Sequence, residues 1–206
     1  MAFTTRIFRP ALVSPSITGG GNNFDIAVRL VAFMVNHGIG VDALNQVSFV
    51  PADITANNIV AISTTPGTEN KTYHVVRDDY ANMLDITELI TKATGRQFEI
   101  FSLSEFVPEL VRRCRKDDLL FPLLDFLVGS VDNISAMEFK RYDNSSYQSA
   151  RRASAWGKPD PSLEETVNGI LKFMHRKGII SVGMRDNPVS NYHQRLSRAD
   201  ASGLAP

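Results

Sequence analysis

Short β-rich runs alternate with stretches of helical periodicity through the first hundred residues. That alternation confines the chain to an α/β or α+β architecture. Thr5-Arg6-Ile7-Phe8-Arg9-Pro10 reads as a strand closed by proline. A strand placed so early is expected to pair at once with something else. A helix is expected from Asp25 to Asn36, with Ile26, Leu30, Phe33 and Met34 at helical spacing and Gly38 placed to end it. Val47–Val50 is strand-like, and a helix over Asp53–Ser63 follows Pro51. After the turn Thr65–Asn70, Thr72–Val76 is β-rich.

Asp85 and Glu88 have capping-box spacing for a helix that stops at Gly95. Phe98–Phe101 alternates as a strand, Ser104 opens a helix through Leu110, and a second apolar helix is expected over Leu119–Val128. A last helix runs from the capping pattern Ser162–Glu165 to Gly178. Helices dominate the second half, so the expected fold is a helix-rich α/β unit with a few short parallel strands. From Arg185 to Pro206 the chain turns polar and loses period, which reads as a flexible tail.

Composition removes several function classes. Lys plus Arg and Asp plus Glu each number 22, and the resulting zero net charge argues against nucleic-acid binding through overall charge. No apolar run approaches the roughly 20 residues that cross a bilayer. The single cysteine, Cys114, cannot form an internal disulfide, so a reduced cytoplasmic setting is expected. His37, His74, His175 and His193 lack metal-ligand spacing, and no nucleophile elbow, phosphate loop or zinc-protease pair is present.

Some local features have two readings. Arg112, Arg113, Arg115 and Lys116 surround Cys114 and would lower a thiol pKa; with no base partner in view, the residue reads instead as a small side chain on a basic helix. The run Gly19-Gly20-Gly21 either cradles a phosphate before the Asp25 helix or forms a loop that covers a ligand. The loop is the reading taken. Arg112–Lys116, with Lys140, Arg141, Arg151 and Arg152, would meet a phosphate or an acidic partner, or make a solvated face.

The order of elements then carries a resemblance. Ile7-Phe8-Arg9-Pro10-Ala11-Leu12-Val13-Ser14, with its Gly/Asn loop and helix, resembles the segment that follows the catalytic lysine in extended short-chain dehydrogenases. Phe49–Ile54, Thr72–Val76, Asp85–Gly95 and Phe98–Phe106 resemble the successive elements of that family. Tyr142-Asp143-Asn144-Ser145, Pro159-Asp160-Pro161, Leu163–Val167 and Arg176–Ile180 are similar to the C-terminus of thioester reductases. These domains release acyl chains from carrier proteins in nonribosomal peptide and polyketide synthesis; aminoadipate reductases are relatives.

The resemblance implies that residues 1–184 are a C-terminal substrate-binding subdomain and that the complete enzyme uses NADPH. It implies a phosphopantetheinyl carrier protein and an acyl thioester as partners, together with a cofactor-binding Rossmann half or a second copy of the chain. It places Arg9, Pro10, Val13 and Ser14 beside the nicotinamide. Gly19, Gly20, Gly21, Asn22 and Asn23 become a substrate-side lid, with Asp53 also on the substrate, and Arg112, Arg113, Arg115 and Lys116 become the carrier-docking surface. Nucleic acid, metal and membrane are not expected partners.

Two departures limit what the chain does alone. No Gly-rich cofactor turn lies upstream of Arg9. No tyrosine is followed four positions on by lysine: Tyr73 meets Arg77, Tyr80 Leu84, Tyr142 Ser146, Tyr147 Arg151 and Tyr192 Leu196. Arginine is no substitute, since its guanidinium stays charged. The expectation is therefore a chain with no catalytic residues of its own and no cofactor bound alone. Alternative readings are a non-catalytic module for a carrier protein or acyl chain, a part of a sugar-nucleotide-type dehydrogenase, and thioester hydrolysis or cyclisation by Asp53, His74 or Tyr142.

Overall fold

The computed structural model describes residues 4–22, 25–136 and 141–184. The expected tail and Asn23 lie outside the described residues. Among those described, strands and helices follow the order β1 (Arg6–Pro10), β2 (Leu12–Ser14), α1 (Ile26–His37), β3 (Ile39–Asp42), β4 (Phe49–Pro51), α2 (Ala52–Ser63), β5 (Lys71–Val75), α3 (Met83–Thr94), β6 (Glu99–Ser102), α4 (Leu103–Arg113), α5 (Leu124–Gly129), α6 (Val131–Ser135), α7 (Ser145–Ala153) and α8 (Leu163–Arg176). This is the helix-rich α/β architecture that the alternation implied.

The strands pair in parallel as β1–β5, β2–β4 and β3–β6. Parallel pairing needs long crossovers, and each pair is joined through intervening helices. The sequence reading missed β2 and β3, which are three and four residues long, α6, which is five, and α7, whose sequence Ser145–Ala153 is too polar to advertise a buried face.

α1 is the centre of the main core. Ala27, Val28, Val31, Ala32, Phe33, Met34 and Val35 are all buried, so little of its circumference faces water. α3 and α8 pack against each other and against this centre through Ile86, Ile90, Val167, Ile170 and Met174. A second small core joins α2, β5 and α7 through Ile62, Tyr73, Val75, Tyr147 and Ala150, with the Phe8 ring stacked on Tyr73 at 5.3 Å.

Several helix ends differ from expectation for local reasons. α3 is capped by Asn82, not Asp85. The Asp85 amide donates to Asn82 Oδ1 at 2.8 Å, and the Asn82 amide donates to Asp85 Oδ2 at 3.1 Å. Asp85 is thus the third helical residue of a box that starts one turn earlier. α4 begins after Ser102, whose amide and hydroxyl donate to Glu105. The helix expected over Leu119–Val128 is broken: a 3-10 turn at Phe121–Leu123 contains Pro122, and only then does α5 begin. α8 starts at its Ser162–Glu165 capping box as expected, but it ends at Arg176, two residues before Gly178.

β1 and β5 each have one edge unpaired among the described residues, and Ile7 on β1 is 50% exposed. Unpaired parallel edges template pairing with another chain. Light scattering at rising concentration is expected to reveal self-association, and Ile7→Lys is expected to suppress it. A strictly monomeric wild-type chain would contradict this.

Candidate substrate-binding crevice

The chain changes partners at one place. The last rung of the β1–β5 pair is the Ala11 amide donating to the Val75 carbonyl at 3.1 Å. One residue later, Leu12 is in register with Phe49 on β4. Past β5, the Arg77 amide donates to Ser48 Oγ at 3.0 Å, just before β4. The carboxyl end of β1, all of β2, the entry to β4 and the exit of β5 therefore converge. In open parallel sheets, ligands bind in the crevice outside the carboxyl ends of the strands, where such partner changes occur.

Arg77 holds this junction. Its side chain is 2% exposed. Its guanidinium grips Asp79 by two bonds, Nε to Oδ1 at 2.9 Å and Nη2 to Oδ2 at 2.7 Å, while Nη1 donates to Thr166 Oγ1 on α8 at 3.2 Å. A buried cation is tolerated only when paired and hydrogen-bonded in this way.

The sequence-predicted residues fall unequally around the junction. Arg9 and Pro10 are exposed at the end of β1; Val13 is half-buried and Ser14 buried on β2. Ser14 is in register with Pro51, which precedes α2, so Asp53 in the exposed first turn of α2 lies nearby along the chain. His74, in register with Arg9, stacks on the Tyr142 ring at 5.3 Å. Asn144 closes over the same end of β5, its amide nitrogen donating to the Val76 carbonyl at 3.1 Å and Asp78 Oδ1 at 2.8 Å. Asp143 is held below the ordinary carboxylate range by the Ser145 amide first, and His74 adds to this. Arg9, His74, Tyr142 and Asp143 thus gather at one edge.

One group was missed in the sequence. Gln148, a turn beyond Asn144 on α7, is 3% exposed, and neither its amide oxygen nor its nitrogen has a partner among the described residues. Such groups are rare in folded proteins and invite a polar ligand or water. A lone glutamine in a polar helix gives no sequence signal.

The glycine loop sits elsewhere, on α8. The Gly19 amide donates to the Ser16 carbonyl and the Gly20 amide to Ser16 Oγ, making a closed turn. Gly19 has φ +82°, a left-handed value suited to glycine. Arg176 donates to the Thr18 and Gly19 carbonyls. The loop is not free-standing, and any lid motion has to break these contacts. The residues do not fit a dinucleotide cradle either: Asp25 Oδ1 already accepts from the Ala27 amide at 2.7 Å, so a carboxylate occupies the α1 terminus that a pyrophosphate would need. Burial raises the Asp25 pKa, and the amides of Ala27 and Val28 partly offset this.

The basic stretch is largely matched within the fold. Glu109 bonds Arg112 and Arg113, and Glu99 bonds Arg113 at 2.7 Å. Those bonds, from Arg112 first, hold the Glu109 pKa down to about 2. The pairing is complete above the ordinary carboxylate range and is lost only as pH falls through about 2. Arg115 and Lys116 are exposed, but Asp117 and Asp118 follow them directly. Cys114 is not activated, since burial first, and Asp118 next, push its pKa up. Among the described residues no cluster of His, Cys, Asp or Glu is placed to hold a metal, and no helix is long and apolar enough to cross a membrane.

The fold class is that of the C-terminal part of extended short-chain-dehydrogenase-type reductase domains. The terminal R domain of the myxalamid polyketide synthase–nonribosomal peptide synthetase pathway matches with TM-score 0.75 and 20% identity over 85% of this chain and 45% of that one. A thiolation–reductase di-domain of an archaeal nonribosomal peptide synthetase matches with TM-score 0.60 and 16% identity over 84% and 36%. A UDP-glucose 4-epimerase from Thermotoga maritima reaches TM-score 0.53 and 13% identity over 84% and 47%. The chain thus spans less than half the length of each. No protein-family model and no curated protein matches it.

Two substitutions check this geometry. A Cβ at Gly169 on α8 would stand 2.7 Å from the Ser16 carbonyl oxygen and 2.9 Å from Ile17 Cα. Gly169→Ala is expected to displace the glycine loop and cost about 1–3 kcal/mol in denaturant unfolding. Asp79→Ala, although Asp79 is 61% exposed, is expected to cost about 1–3 kcal/mol by stranding the buried guanidinium. Wild-type stability in the Asp79 variant would remove Arg77 from its proposed place at the junction.

Proposed function

We propose that this chain forms the substrate and carrier side of an NAD(P)H-dependent thioester reductase, the type that releases an acyl or peptidyl chain from a phosphopantetheinyl carrier protein. The observation that carries the reading is the fold likeness to terminal reductase domains over 85% of the chain, joined to the change of strand partner at the carboxyl ends of β1 and β5. The ordered resemblance from Thr5 to Ile180 points the same way.

In this reading the thioester lies along the Arg9–Ser14 segment. Val13 gives it an apolar wall, and Ser14 and Gln148 offer polar groups near its carbonyl end. His74, Tyr142 and Asn144 close the β5 side of the crevice. The hydride comes from NADPH bound by residues outside those described, whether on another segment or another chain, and the proton donor is likewise not among the groups gathered here. Without that half the chain binds substrate but does not reduce it.

The epimerase likeness favours one rival, a sugar-nucleotide site in the same crevice. Calorimetry separates the readings. Saturable binding of an acyl-loaded carrier protein, with no NADPH binding to the chain alone, is expected. Binding of UDP-glucose without carrier binding would replace the reading with the rival, and saturable NADPH binding would contradict the division of labour. Gln148→Leu is expected to leave the melting temperature equal or higher while weakening acyl-carrier binding about tenfold.

A further inference from the structure

The chain's single tryptophan, Trp156, is 80% exposed. An indole left in water exposes a large apolar area, and tryptophan is among the residues that dominate protein interfaces. What distinguishes Trp156 from a stray surface aromatic is its support. Asn57 Nδ2 donates to the Trp156 carbonyl at 2.8 Å. The wholly buried Asn58 clamps the next turn, with Nδ2 donating to the Lys158 carbonyl at 3.0 Å and Oδ1 accepting from the Lys158 amide at 2.7 Å. Asn58 Nδ2 also donates to the Tyr147 hydroxyl at 2.9 Å. Arg151 and Asp160, both nearly buried, pair at 2.9 Å across the base of the loop. A Cβ at Gly157 would run into the Arg151 carbonyl oxygen, so the loop's path is fixed on that side too.

Asn57 and Asn58 therefore hold the backbone at Trp156 and Lys158, beside an indole in water. A pre-ordered anchor loses little conformational freedom on binding. On α2, one turn beyond the Asn57 that supports the loop, Val60 is 62% exposed. The charges around the anchor are unbalanced. Arg152 and Lys158 are exposed, Asp160 is neutralised by Arg151, and Asp53 is the one acidic residue of α2. In the Arg112–Lys116 stretch, by contrast, Arg112 and Arg113 are paired with Glu109 and Glu99.

We infer that Trp156, Val60, Arg152 and Lys158 form the docking surface for a protein partner with an apolar pocket and an acidic rim, and that this partner is the carrier protein. The inference rests on the thioester-reductase reading and adds a surface to it. Because no other tryptophan contributes, fluorescence reads this surface directly. A phosphopantetheinyl carrier protein lacking tryptophan is titrated into the full chain, wild type and W156A, by emission and by calorimetry. A saturable blue shift is expected in the wild type. W156A is expected to bind about tenfold or more weakly with an unchanged melting temperature, and R152E/K158E to weaken binding in a salt-dependent way. Carrier binding that leaves both the emission and the W156A affinity unchanged overturns this surface and spares the reading. No carrier binding at all overturns both. A blue shift with protein concentration alone, absent in W156A, assigns the surface to a second copy of the chain instead.

Discussion

The junction between the strand pairs depends on one buried guanidinium. Arg77 follows β5, is held to β4 through the Ser48 hydroxyl, and reaches α8 at Thr166. Its charge is affordable in the interior because Asp79 takes it by two short bonds. Without that ion pair, nothing polar would tie the exit of β5 to α8. The chain could then pass from the β1–β5 pair to the β2–β4 pair without a polar tie between the exit of β5 and α8. The candidate site lies where the chain passes from one parallel pair to the other, between Ala11 and Leu12.

The groups around that junction differ in how far their hydrogen-bonding capacity is already used. One side holds groups with unspent capacity: Gln148 has an amide with no partner, and Tyr142 presents one face to His74 and remains 64% exposed. The glycine loop, by contrast, is spent on contacts with α8, which also explains Gly169, since a side chain there would enter the Ser16 carbonyl. The Asn58 network makes a third region. It places hydrogen bonds below Trp156 and leaves the indole itself unused.

Much of the fold was legible in the sequence because the helices are amphipathic and capped. α1 stops at Gly38 and α3 at Gly95, each in the left-handed conformation expected of a terminal glycine. The α8 capping box is a local pattern and was read correctly. The capping box of α3 was displaced by one turn because Asn82 and Asp85 satisfy the same rule as Asp85 and Glu88, and only packing decides between them. β2 was missed because one residue, Ala11, separates it from β1, and β3 because it follows α1 directly after Gly38 and has Gly40 in its interior. α7 was invisible because its burial comes from Tyr147 and Gln148 rather than from an apolar stripe. The strand that ends at Arg9 and Pro10 could be read from its β-rich run and its proline, whereas its place beside a ligand came only from the resemblance. The neutralisation of Arg112 and Arg113 could be placed only in part: Glu109 lies on the same helix, but Glu99 is contributed by β6. Arg77 and Gln148 carry no local signal, since their meaning comes from burial.

The account stands on the acyl thioester being received at the β1–β5 carboxyl edge. Photocrosslinking from a carrier protein whose acyl chain bears a diazirine, followed by peptide mapping, tests this most directly. The account predicts that light attaches the label within residues 9–14, 48–51, 74–77 or 142–148. Specific labelling confined to other parts of the chain would contradict it.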